Sequence, residues 1–99
     1  MEIDLLLELV VDKGASDLHL RVGSCPVLRI DGKLTPQDYR LFDFRHQAER
    51  MFEQITTQEQ RDTFLRDKEL DFAYTLDKLA RFRINILWQR KTISIACRM

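Results

Sequence analysis

Apolar side chains recur at Ile3, Leu6, Leu7, Val10 and Val11, the i, i+3, i+4, i+7, i+8 spacing that puts them in one stripe of a helix. The pattern predicts an amphipathic helix from Glu2 to Lys13. Glu2 and Asp4 sit in its first turn, where the helix dipole favours acids, and Lys13 followed by Gly14 marks its end. From Asp17 to Val22 the period becomes two, with Leu18 and Leu20 on one side and His19 and Arg21 on the other. Val27 to Ile30 and Lys33 to Thr35 then flank Asp31-Gly32, a pair suited to a two-residue turn with positive φ at both positions, which predicts a β-hairpin.

The stretch from Pro36 to Arg45 has no period and reads as an irregular connection. Ala48, Met51, Phe52 and Ile55 restore helical spacing, so a second helix is expected from about Arg45 to Gln54. Thr57 with Gln60 three residues later fits a capping box, opening a third helix to about Arg66 that carries Phe64 and Leu65 inward. Leu70, Phe72, Tyr74 and Leu76 then alternate as a strand. The order of elements predicts an α+β domain: a mainly antiparallel sheet with helices packed on one face. Its inward set is Leu6, Val10, Leu18, Leu20, Phe72, Tyr74, Phe82, Ile84, Ile86, Ile93 and Ile95, with Trp88 also in the core.

The last segment says most about chemistry. Phe82, Ile84, Ile86 and Trp88 alternate with Arg81, Arg83, Asn85, Leu87 and Gln89, and Ile93, Ile95 and Cys97 alternate with Thr92, Ser94, Ala96 and Arg98. If these two strands form a hairpin that keeps its apolar side chains on one face, a two-residue turn at Arg90-Lys91 or a four-residue loop from Gln89 to Thr92 gives the same register. That register sets Arg83 directly opposite Arg98. Like charges so placed repel, by an amount within the roughly 0.2 to 1 kcal/mol of cross-strand pairs. Two guanidiniums side by side on an exposed face make a bidentate anion site suited to a phosphate. The alternative is that each arginine pairs with a nearby acid such as Asp71 or Asp77.

Composition narrows the partners. The 99 residues hold 16 Lys and Arg against 16 Asp and Glu, so the net charge is zero, and a simple nucleic-acid binder is disfavoured. One domain fills a chain of this length. The acidic start and the short apolar runs fit neither a signal peptide nor a spanning helix, which predicts a cytoplasmic protein. Cys25 and Cys97 lack metal-ligand spacing and read as small buried or half-buried thiols of a reducing compartment. His19 has Asp17 on its own face to orient it and no other His near it in sequence, so its role is read as structural. Asp17 itself, following Ser16 after the first helix, reads as turn geometry. The mixed charges Glu59, Arg61, Asp62, Arg66, Asp67, Lys68 and Glu69 read as a solvated helix face, part of which could serve as a ring contact.

Lys13-Gly14-Ala15-Ser16-Asp17-Leu18-His19-Leu20-Arg21, Pro26 to Gly32, Leu70-Asp71-Phe72, Ala80 to Asn85 and Gln89-Arg90 follow one another in an order that resembles the N-terminal domain of PilT-like secretion ATPases, which retract type IV pili. The likeness runs over nearly the whole chain. It implies a PAS-like α+β domain, joined by a short linker to a RecA-like ATPase domain in a homo-hexameric ring, in the cytoplasm at the base of an inner-membrane pilus or type II secretion platform. ATP, with Mg²⁺, lies between the two domains of that family, and the resemblance implies that Arg83 and Arg98 reach the nucleotide phosphates. Two departures stand out: Lys91 replaces the family's glycine after Gln-Arg, which suggests a different turn tip, and Cys25 stands where Pro is common. These 99 residues contain no GxxxxGK[ST] loop, so this chain alone is expected neither to hydrolyse ATP nor to hold nucleotide tightly. A freestanding PAS-like domain that senses a small molecule or a protein partner is the alternative.

Overall fold

The stripe of Ile3, Leu6, Leu7 and Val10 forms helix α1 (Glu2–Asp12) and is fully buried. This computed structural model describes residues 2–21, 24–37 and 44–99. The expectations for Val22, for residues 38–43 of the irregular connection and for the inward placement of Ala48 fall outside the described residues. Strand β1 (Asp17–Arg21) follows, then the hairpin β2 (Val27–Ile30) and β3 (Lys33–Pro36). Its two turn residues have φ of 50° at Asp31 and 79° at Gly32, the left-handed pair the sequence predicts.

Helices α2 (Phe44–Ile55) and α3 (Gln58–Asp67) come next. Thr57 caps α3 as a full capping box: its hydroxyl accepts from the Gln60 backbone N–H at 3.2 Å, and the Gln60 side chain accepts from the Thr57 N–H at 2.8 Å. One of the charged residues on this helix does more than face water. Arg61 donates through Nη1 to the Thr56 carbonyl at 2.7 Å, satisfying an acceptor just past the end of α2. Among the described residues no helix is long and apolar enough to cross a membrane.

Strands β4 (Glu69–Leu76), β5 (Ala80–Gln89) and β6 (Thr92–Arg98) complete one six-stranded sheet in the order β3-β2-β1-β6-β5-β4, antiparallel throughout. The last strand of the sequence is therefore central, and within the sheet it joins the half built from β1 to β3 to the hairpin of β4 and β5. The helices lie on one face. Leu18, Leu20, Phe82, Ile84, Ile86 and Ile95 point into that layer and are buried, as expected. Phe72 and Tyr74, on the edge strand β4, are only half-buried. Tyr74 ties that edge to α1 by donating its phenol to Asp4 at 2.8 Å, and burial together with this bond pushes its pKa up to about 12.

Two predicted core positions are corrected. Trp88 is 44% exposed. It occupies the far end of β5 on the helix side, where its backbone N–H donates to the Lys68 carbonyl and the Lys68 ammonium lies 5.9 Å from the ring centre. Leu65 is 63% exposed, because the short α3 turns Phe64 onto Phe52 and leaves the next position a hundred degrees round its axis facing water.

The β5–β6 connection is a two-residue turn at Arg90 and Lys91, with φ of 49° and 65°. Both positions are left-handed, so a lysine is held where glycine would be unstrained. Lys91→Gly should raise stability by about 0.5 to 1 kcal/mol, read as a higher midpoint in urea. A lower midpoint would mean that the lysine side chain, not the backbone, sets the turn.

Candidate functional site

With apolar residues turned toward the helices, strict alternation sends every second side chain of the sheet to the other, open face. There the register aligns four charged residues across adjacent strands: Arg29 on β2, Asp17 on β1, Arg98 on β6 and Arg83 on β5. The predicted opposition of Arg83 and Arg98 is present. Both line an open depression of about 500 Å³ with Asp71, Ala73 and Arg81. They also line a second depression, of about 310 Å³, with Asp17, His19, Asn85 and Ala96.

Each arginine also has an acid. Arg83 donates through Nε and Nη2 to the two carboxylate oxygens of Asp71, both at 3.1 Å, a bidentate pair in which both side chains are largely in water. These hydrogen bonds, and then the charge of Asp71, push the Arg83 pKa up. Arg98 reaches Asp17 instead, Nε to Oδ1 at 3.7 Å. Of the two alternatives the sequence offered, the acid pairing is present: Arg83 with Asp71, as named, and Arg98 with Asp17, which was not named.

Asp17 is more than a turn residue, which corrects the sequence reading. It is only 8% exposed, yet its carboxylate faces Arg29 Nε at 3.6 Å, Arg98 Nε at 3.7 Å and His19 Nε2 at 3.9 Å. Burying a carboxylate is favourable only beside compensating charge, and here two arginines from the strands on either side supply it. His19 lies on the same face as Asp17, as expected, with no hydrogen bond between the two side chains among the described residues. The cysteines differ from each other: Cys25 is exposed, against expectation, while Cys97 is buried on the inner face and burial pushes its thiol up to about 12. A thiol so held is no nucleophile at neutral pH.

No protein-family model matches the chain. Over 98 residues it is 30% identical to the type IV pilus ATPase PilU of Pseudomonas aeruginosa, an alignment covering 99% of this chain and 25% of PilU. The type IV pilus retraction ATPase PilT of the same organism is 33% identical over 96 residues, covering 92% of this chain and 26% of PilT. The crystal structure of the pilus retraction motor PilT with bound ADP superposes with a TM-score of 0.83 at 23% identity, covering 98% of this chain and 28% of that one. The chain matches the N-terminal domain of PilT-like ATPases.

The ATPase DotB of Legionella pneumophila has the same fold, with a TM-score of 0.77 at 20% identity over 98% of this chain and 28% of DotB. This PilT-like domain spans about a quarter of the length of the curated relatives it matches. Its α+β architecture, an antiparallel sheet with helices on one face, is the one expected. The stretches that carry the resemblance, Gly14 to Arg21 and Ala80 to Asn85, place Asp17 and Arg83 on the open face, within the row of charges.

Proposed function

We propose that residues 1–99 form the nucleotide-contacting and regulatory N-terminal domain of a hexameric type IV pilus retraction or type II secretion ATPase. Arg83 and Arg98 contact the phosphates of ATP bound between this PilT-like domain and a RecA-like domain. The observation that carries the reading is their register: two guanidiniums opposite one another on an uncovered sheet face, both bordering the same two depressions. Bound ADP in the PilT crystal structure and the kinship with PilT and PilU support a nucleotide as the ligand. The motor works in the cytoplasm, against an inner-membrane platform.

The donor set suits phosphate oxygens: guanidiniums fork onto such oxygens bidentately and stay charged at any working pH. It does not suit Mg²⁺. The carboxylates of the site, Asp17 and Asp71, already face arginines, so the cation is held by the RecA-like domain. Because the arginines ride on this domain, phosphate contact depends on where the domain sits relative to the rest of the motor. That dependence is the regulatory part of the proposal.

Titration of the ¹⁵N-labelled chain with tripolyphosphate at low ionic strength tests the reading. Most of a nucleotide's contacts come from elsewhere, so millimolar affinity is expected. Arg83→Ala and Arg98→Ala should each weaken it about five-fold or more, the value of one charge-assisted contact. Equal affinity in both variants would sink the phosphate assignment.

A further inference from the structure

The two arginines are held differently. Arg98 approaches Asp17 through Nε at 3.7 Å, makes no side-chain hydrogen bond among the described residues, and has a side chain 77% exposed and so open to a ligand. Arg83 has its Nε and Nη2 edge filled by both oxygens of Asp71. A carboxylate and a phosphate present the same pair of acceptor oxygens to that edge, and the two cannot occupy it together. Asp71 is thus seated where a phosphate would be gripped.

We propose that Asp71 is an internal competitor for the fork of Arg83, displaced when a phosphate chain binds, and that it sets the anion concentration at which the arginine pair engages. This rests on the phosphate reading of Arg83 and Arg98. The exchange is feasible on two grounds. The side chains of Arg83 and Asp71 are 76% and 43% exposed, and ion pairs so exposed are weak. On the β4 side the residue directly across from Arg83 is Ala73, too small to confine the guanidinium once it leaves Asp71. Asp17, by contrast, is buried and shared among Arg29, Arg98 and His19, so it stays in place and positions Arg98 whether or not ligand is bound.

Charge alone must be separated from competition. Glu69 is exposed two residues along β4 on the same face, opposite Leu87 and away from Arg83 in the register, so Glu69→Gln removes an equal charge without opening the fork. Tripolyphosphate is titrated into the wild-type chain, Asp71→Asn, Glu69→Gln and Arg83→Ala, following the Arg83 Nε–H resonance beside the backbone amides. In the free protein that resonance should move in Asp71→Asn and not in Glu69→Gln. Asp71→Asn should bind about two- to five-fold more tightly than Glu69→Gln, and in the wild type the Arg83 resonance should shift toward its Asp71→Asn position before settling with ligand. Equal affinity in Asp71→Asn and Glu69→Gln overturns the competitor, as does an Arg83 resonance indifferent to Asp71→Asn or the absence of binding by either variant. Arg83→Ala binding as well as wild type is a different failure, since it removes the phosphate reading itself.

Discussion

Phe82→Ala should cost this domain about 3 to 5 kcal/mol, a large share of what a domain of this size has, since stabilities run at about 0.05 to 0.15 kcal/mol per residue. Phe82 is 1% exposed and stands on β5, beside the central strand, in the layer under the helices. Removing its ring leaves a void in a core whose other members are held on the sheet and the helices, so collapse into the space is limited. Urea unfolding followed by circular dichroism reads the loss. A change under about 1 kcal/mol would mean the ring is not in a packed core. The result bears on function through parity: Phe82 facing inward is what sends Arg83 outward, and a slip of one residue would reverse both.

Arg83→Ala and Arg98→Ala should each lower ATP turnover about 100-fold or more in a complete ATPase carrying this domain. Phosphoryl transfer depends on charge stabilisation and positioning, and an arginine delivered to the phosphates commonly supplies factors larger still. The isolated domain should respond differently. Opposed arginines alone predict that losing either would leave it as stable or slightly more so. Asp71 and Asp17 relieve that repulsion, so Arg83→Ala should leave the melting midpoint near wild type. Arg98→Ala should lower it only slightly, because Arg29 and His19 still face Asp17. Steady-state turnover beside thermal melts separates the roles: normal turnover in both variants would refute the phosphate contact, and a large loss of midpoint would make the arginines structural.

What could be read from residue order was whatever tight local geometry determines. The β5–β6 register follows from a short turn and an unbroken apolar alternation, so Arg83 and Arg98 were legible as a pair. The Asp31-Gly32 turn and the Thr57 cap were legible for the same reason, each being complete within a few residues. The setting of Asp17 was not. Arg98 arrives through the pairing of the first strand with the last, and Arg29 through a connection that carries no two-residue turn signature, so no spacing rule fixes either register. Trp88 and Leu65 show a second limit. Period assigns a side chain to a face, but whether another element covers that face at that height depends on helix length and placement. Asp71 was visible as one candidate acid, while its two-oxygen grip on Arg83 needed coordinates.

The central place of β6 also has a mechanical meaning. Its backbone pairs with β1 on one side and β5 on the other, and just beyond it the Met99 N–H donates to the Ser16 carbonyl at 3.0 Å. In antiparallel ladders the hydrogen bonds stand perpendicular to the strands. Tension drawn along β6 from Met99 would load both ladders in shear, many bonds at once, instead of unzipping them singly from an edge. A pull there would move the sheet as a stiff plate, and Arg98, next to Met99, would travel with it.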